Sequence, residues 1–377
     1  MLQNISTPRI FIAATRQNDG KTTTSVGLYS ALKKQFNRVG YIKPVGQRFV
    51  EIAGKKIDED TVLINQTYQP GLPLEAMSPI AVDPWFTRYY LDKGDPAELV
   101  DRVESAFNRA AWEQDFVVIE GSGHAGVGSV FNMSNAQVAA TLKSKVIIVS
   151  RGGVGRPLDE ISLNLALFEK FHVEVIGVIL NQVHPDKLET LRGFAEKGLR
   201  RMGLRLLGLV PLQQELRKPT FNQIGVELDG HWLAGQDQRH RQVDKVIIAT
   251  ASPKNFEVHL EPGALLITSG DREELLESLI EKAQSNPQWH ELAGMVLTLG
   301  FRPPDRLLNG LKDLGFPFLV VESDSFQVAS RISRMTVKTE PGDIRKIKLI
   351  QNLIETHVDV SRIIDHVIPN DGPNNEC

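Results

Sequence analysis

From Arg9 onward, short runs rich in β-branched residues alternate with helix-length amphipathic stretches, and this rhythm constrains the fold more than any other feature. Strands are predicted at Arg9–Ala14, Val39–Lys43, Phe116–Glu120, Val146–Ser150, Val173–Leu180 and Leu206–Val210. Helices are predicted near Lys21–Gln35, Pro96–Trp112, Asn135–Leu142, Leu158–Phe171 and Lys187–Met202. Strands separated by helices pair in parallel through right-handed crossovers, so the expected class is α/β, with a mainly parallel, doubly wound sheet. Ligands of such sheets bind beyond the carboxyl ends of the strands, so the residues that follow each strand are the first candidates.

A chain of 377 residues is too long for one compact core. After Pro211 the rhythm breaks, and Gln213–Gln242 is polar and poor in strands. A second βα pattern follows through Lys245–Ala249, Ala264–Thr268, Leu275–Ala283, Gly294–Leu299, Arg306–Leu314 and Phe318–Val321, with a late helix at Ile344–Thr356. The expected organisation is a first domain over 1–212, a linker or start of the second domain over 213–243, a smaller α/β domain over 244–365, and a disordered polar tail over 366–377. The boundary itself is expected between Pro211 and Thr220.

Composition narrows the function classes. The chain is 41% hydrophobic and 24% charged, which excludes wholesale disorder. Its longest apolar runs, such as Val146–Val149 and Val175–Leu180, are strand-sized rather than membrane-spanning. No basic segment leads into an apolar one at the start, so a cytoplasmic protein is expected, with no membrane partner. The net charge of −3 gives no reason to expect nucleic acid. The only cysteine, Cys377, rules out a disulfide framework, cysteine-ligated zinc and a buried cysteine nucleophile.

The first predicted strand runs into Thr15-Arg16-Gln17-Asn18-Asp19-Gly20-Lys21-Thr22-Thr23. A loop ending Gly-Lys-Thr between a strand and a helix suits a nucleoside triphosphate: backbone N–H groups face the phosphates, the lysine adds a charge, and the first threonine can ligate Mg²⁺. The strict pattern asks for glycine where Thr15 stands, so strand–loop–helix context carries the reading. Thr15, Arg16, Asn18, Asp19, Gly20, Lys21, Thr22 and Thr23 are therefore the candidate nucleotide-binding residues. The alternative is an ordinary helix start, with Asp19 as cap and Lys21 in solvent. Lys43 and Glu120 end two further predicted strands. A carboxylate there is where a Walker-B-type metal ligand sits, and two cations with one carboxylate at one sheet edge point to a shared anionic ligand.

Taken in order, Gly20-Lys21-Thr22, Lys43-Pro44-Val45, Glu120-Gly121-Ser122-Gly123 and Leu180-Asn181 resemble dethiobiotin synthetases, members of a wider P-loop group with cobyrinic acid amide synthases and the division-site and partition ATPases. Val210-Pro211, Glu215-Leu216 and Pro219-Thr220 extend the likeness toward the N-terminal region of long bacterial phosphate acetyltransferases. Leu265–Glu273, Gly294–Thr298, Phe316-Pro317 and Glu322–Ser325 resemble a DRTGG domain. The resemblance covers roughly residues 8–365 and stops before an acetyltransferase domain would begin, which implies a stand-alone relative without acetyl transfer. It implies Lys21, Lys43 and Glu120 as catalytic residues, Thr22, Asp60 and Glu120 around Mg²⁺ with Asp58 competing for the place of Asp60, and Asn181 at the nucleobase of ATP. Asn181 as a plain turn residue stays open. The resemblance also implies homodimers or higher homo-oligomers.

Departures from these families matter. Arg16 stands where partition ATPases carry a lysine that reaches a partner's nucleotide; it either does likewise or neutralises Asp19. Gly123–Val130 reads as a flexible loop that closes over a ligand, with His124 as an acid or base or simply exposed. Trp85, Phe86, Tyr89 and Tyr90 read as packing, Arg239-His240-Arg241 as a solvated linker, and Asp271 as a helix cap. His231, His240, His259 and His290 lack metal-ligand spacing. The expected function is Mg-ATP binding with ligase- or phosphotransferase-like chemistry on a small carboxylate, or ATP hydrolysis. The alternative is a nucleotide-sensing regulator acting through the second domain with little turnover. A dimeric motor-type ATPase ranks third.

Overall fold

The computed structural model describes residues 1–256, 260–285 and 291–368. Its contacts divide the chain into two units, residues 1–213 together with 344 onward, and residues 214–343.

The first unit is built on six strands: β1 (Arg9–Ala14), β2 (Val39–Ile42), β3 (Phe116–Glu120), β4 (Lys145–Arg151), β5 (Val175–Val183) and β6 (Leu206–Pro211). They pair in the order β6-β5-β4-β1-β3-β2, every pair parallel. The strands are buried on both faces, which is why they read as continuous β-branched runs rather than as alternation. Because β1 lies between β3 and β4, the chain reverses its direction across the sheet here, and the loops after β1, β3 and β4 meet at one edge.

Helix α1 (Lys21–Lys33) follows the loop after β1, and Gly20 at its N-cap takes φ 104°. Helix α2 (Glu59–Tyr68) is capped by Asp58, whose side chain accepts from the Asp60 N–H. Helix α3 (Arg156–Lys170) begins at a proline-containing first turn. No element is predicted over 48–68 from the sequence; there a short hairpin, Phe49–Ile52 with Lys55–Asp58, delivers the chain into α2.

The late helix Ile344–His357 extends one residue past its predicted end and belongs to the first unit, not to the second where it had been expected. It lies along α1, where Gly27 leaves room for it: a Cβ there would stand 2.2 Å from Ile354 Cγ1. Of the tail expected to be disordered over 366–377, His366 and Val367 instead close a helix, Val360–Val367, and residues 369–377 lie outside the described residues.

The second unit has strands β7 (His231–Ala234), β8 (Lys245–Ile248), β9 (Ala264–Ser269), β10 (Gly294–Thr298) and β11 (Phe318–Val320), in the order β7-β11-β10-β9-β8. All pairs are parallel except β7 with β11. Helices Glu273–Ser285 and Asp305–Lys312 cover one face, and Phe221–Leu228 and Ser325–Arg334 the other. The polar stretch after Pro211 thus holds a helix with a Thr220 capping box and an edge strand.

Of Arg239-His240-Arg241, Arg239 and His240 are exposed, as a solvated linker would leave them, whereas Arg241 is tied down, donating to the Leu292 carbonyl at 2.7 Å and the Gly315 carbonyl at 3.1 Å. Asp271 accepts from the Ser269 hydroxyl at 2.5 Å. Among the described residues no helix is long and apolar enough to cross a membrane.

Candidate functional site

Residues 15–23 leave β1 and turn into α1 through two left-handed positions, Asn18 at φ 66° and Gly20 at φ 104°. Among the described residues, the N–H groups from Gln17 to Thr23 donate to no protein acceptor, and the first to do so is Thr24, to the Gly20 carbonyl at 2.9 Å. A run of free N–H groups ahead of a helix concentrates positive partial charge and binds anions.

Lys21 stands at the start of this helix, 8% exposed, and among the described residues it forms no ion pair. Burial pushes its pKa down to about 8, against an upward pull from Glu120. A desolvated ammonium without a counter-ion is stabilised by an incoming anion.

The far end of the loop is fixed by Thr15 and Asp19. The Thr15 hydroxyl donates to Asp19 Oδ2 at 2.7 Å and lies 2.9 Å from the Ser150 hydroxyl. Asp19 is 1% exposed, and burial raises its pKa despite Thr15 and the Arg151 guanidinium 3.3 Å away. Arg16 does not neutralise Asp19. It pairs with Glu160 of α3, which also accepts from Arg156 at 2.7 Å.

Beside the loop lies a buried ionic cluster. Lys43, just after β2, pairs with Asp60, stands 3.2 Å from Asp58 Oδ1, and is 3.6 Å from Glu120 Oε1. Glu120 also accepts from the Thr22 hydroxyl at 3.0 Å and from the Tyr41 hydroxyl at 2.9 Å. One ammonium thus serves three carboxylates. Burial drives the Lys43 pKa down, but the three anions overcome it and hold the lysine firmly charged. For Glu120 and Asp58 burial dominates the other way, and both pKa values rise although Lys43 lowers them.

Spare negative charge on hard oxygens, with a threonine hydroxyl bonded to one of them, fits Mg²⁺, which takes few direct protein oxygens and keeps its waters. Thr22, Glu120, Asp60 and Asp58 are the residues that would hold it. Among the described residues no group of three or more His, Cys, Asp or Glu is placed to hold a metal ion, and Lys43 stands among these carboxylates.

The structure therefore brings Thr15, Asp19, Gly20, Lys21, Thr22, Lys43, Asp60 and Glu120 to one sheet edge, and Asp58 with them. Thr23 is half-buried on the first turn of α1. Asn181, expected at the nucleobase, donates its amide to the Asp19 carbonyl at 2.9 Å and is only 5% exposed.

The loop Gly123–Val130 is pinned rather than loose. Asn135 accepts from the Ser122 N–H at 2.9 Å and donates to the Ser122 and His124 carbonyls at 2.7 Å, and Asn164 accepts from the Ala125 N–H at 2.7 Å. His124 is exposed and its ring accepts from the Gly126 N–H at 3.2 Å. Phe86 and Tyr90 pack edge-on against Phe131, whereas Trp85 and Tyr89 stack on each other in the open, 68% and 49% exposed. His231 and His240 join no metal group among the described residues; His259 and His290 lie outside them.

Sequence reasoning missed Tyr41, Ser150, Glu160 and Gln182. Tyr41 was within reach, because it lies two residues before Lys43 on the same strand face. The others act through pairings across the fold that no local pattern records.

Comparison with known proteins bears on both units. Residues 8–220 match the AAA domain family and residues 223–335 the DRTGG domain family. The phosphate acetyltransferase of Pseudomonas aeruginosa is 28% identical over 366 residues, covering 93% of this chain and 50% of that protein. That of Pseudomonas putida is 27% identical over 365 residues with the same coverage. The chain spans about half the length of these curated relatives, along which it is similar to them in both domains. Among solved structures, the MinD cell division protein of Aquifex aeolicus is 16% identical, with a TM-score of 0.36 over 55% of this chain and 84% of its own.

Proposed function

The chain belongs to the AAA domain family and carries a DRTGG domain behind that domain; from this premise we propose that it is a Mg-ATP-binding regulator whose second unit responds to the nucleotide, with slow turnover or none. The observation that carries the reading is the free run of N–H groups from Gln17 to Thr23 beside the unpaired, buried Lys21. Those N–H groups and Lys21 would hold the phosphates. Thr22 and Glu120 would hold the ion that accompanies them. Bound Mg²⁺ supplies neutralisation of phosphate charge.

Lys43 favours regulation over ligation. A ligase or phosphotransferase acting on a small carboxylate needs a cation free to meet that substrate, and Lys43 is engaged by Asp58, Asp60 and Glu120. Homo-oligomerisation is part of the proposal and rests on the resemblance alone.

Hydrogen exchange across residues 214–343, followed with and without Mg-ATP while phosphate release is measured in the same sample, tests this. Altered exchange in the second unit with release far slower than binding supports regulation. Rapid release stimulated by a small carboxylate, with exchange unchanged, refutes it in favour of ligation.

A further inference from the structure

The two kinds of backbone group in the phosphate loop are treated oppositely. Its N–H groups are left free from Gln17 to Thr23, but the carbonyls of Asn18 and Asp19 are both taken from the end of β5. Gln182 Nε2 donates to the Asn18 carbonyl at 3.2 Å, and Asn181 Nδ2 donates to the Asp19 carbonyl at 2.9 Å. A planar trans peptide points its C=O and the following N–H in opposite directions. Anchoring those two carbonyls on β5 therefore turns the N–H groups of Asp19 and Gly20 the other way.

Local chemistry fixes this arrangement. The Asn181 amide cannot be flipped without loss, because its Oδ1 already accepts the Gln182 N–H at 2.9 Å. Gln182 reaches the loop from a left-handed backbone at φ 56°, which turns its side chain out of the strand pattern. Gly20 and Asn181 are matched to each other: a Cβ on Gly20 would fall 1.9 Å from Asn181 Nδ2, so only glycine lets the amide in. Each end of the Asn181 amide thus makes one bond to backbone, and the residue is 5% exposed, held against the loop.

We propose that Asn181 and Gln182 are positioning residues that set the orientation of the phosphate-loop peptides. This rests on the reading that the loop binds triphosphate.

Inorganic tripolyphosphate, a ligand without a base, separates the two roles. Mg-ATP and Mg-tripolyphosphate are titrated calorimetrically into the full chain, Asn181→Ala and Gln182→Ala, with thermal unfolding of each recorded. A lost brace weakens both ligands by the same factor, about tenfold for Asn181→Ala and less for Gln182→Ala. The preference for ATP over tripolyphosphate then stays as in the wild type.

If Asn181→Ala loses ATP affinity and keeps tripolyphosphate affinity, the residue reads the base and the proposal is overturned. Wild-type affinity for both ligands in both variants overturns it too. Should Asn181→Ala not fold, Gln182→Ala decides alone, since that side chain is only half-buried. A wild type that binds neither ligand removes the phosphate-loop reading itself, and the proposal goes with it.

Discussion

Replacing Lys43 by methionine removes the one ammonium shared by Asp58, Asp60 and Glu120 and leaves buried carboxylates uncompensated. The expected cost is about 3–5 kcal/mol in urea unfolding, with part of it restored by Mg²⁺. A loss smaller than about 1 kcal/mol would show that the cluster is not the ion-paired core described here. Lys21 behaves differently. Its pKa, pushed down to about 8 by burial, means that the ammonium which attracts phosphate is intact at pH 7 and lost as pH rises through 8. Nucleotide affinity is therefore expected to be flat below neutrality and to fall by up to about tenfold per unit above pH 8. An affinity unchanged up to pH 9.5 would contradict this. At this scale the sequence was most legible where residue type and strand position coincide: Glu120 closes its strand, and Lys21, Thr22 and Lys43 lie beyond the ends of theirs. Arg16 and Asn181 were less legible, because their partners, Glu160 and the Asp19 carbonyl, lie more than a hundred residues away.

Helix α1 joins the phosphate loop at one end to the Ile344–His357 helix along its length, and the packing between the two depends on Gly27. Gly27→Val places a Cβ where Ile354 already stands, with the Ile350 carbonyl 3.1 Å away. Overpacking of that kind costs about 1–3 kcal/mol. The expected signature is faster amide exchange in residues 344–357, with protection of β1 and β4 largely kept. Unaltered protection of that helix would contradict the packing described. Most helices and strands of the parallel sheet were legible, because buried parallel strands need continuous β-branched runs and leave that mark in the sequence. The elements that were missed are short or polar. Helix α2 depends on the Asp58 cap, and Phe221–Leu228 on the Thr220 capping box, signals visible only once the flanking chain is known to turn there.

At the scale of the molecule, the succession of a P-loop domain and a DRTGG domain was legible from motifs in order along the chain. The return of Ile344–His357 to the first unit was not, since adjacency in sequence carries no record of which core an amphipathic helix will cover. What the fold does with this arrangement is gather a cationic, N–H-rich loop and a carboxylate cluster at one edge of a parallel sheet. The most direct test of that account is calorimetric titration of Mg-ATP into nucleotide-free wild type and Lys21→Ala. Removing a desolvated, unpaired ammonium should leave the fold intact, so the comparison isolates binding. Saturable one-site binding by the wild type, abolished in a Lys21→Ala protein that melts at or above the wild-type temperature, is the predicted result. No binding by the wild type, or equal binding by both, would contradict it.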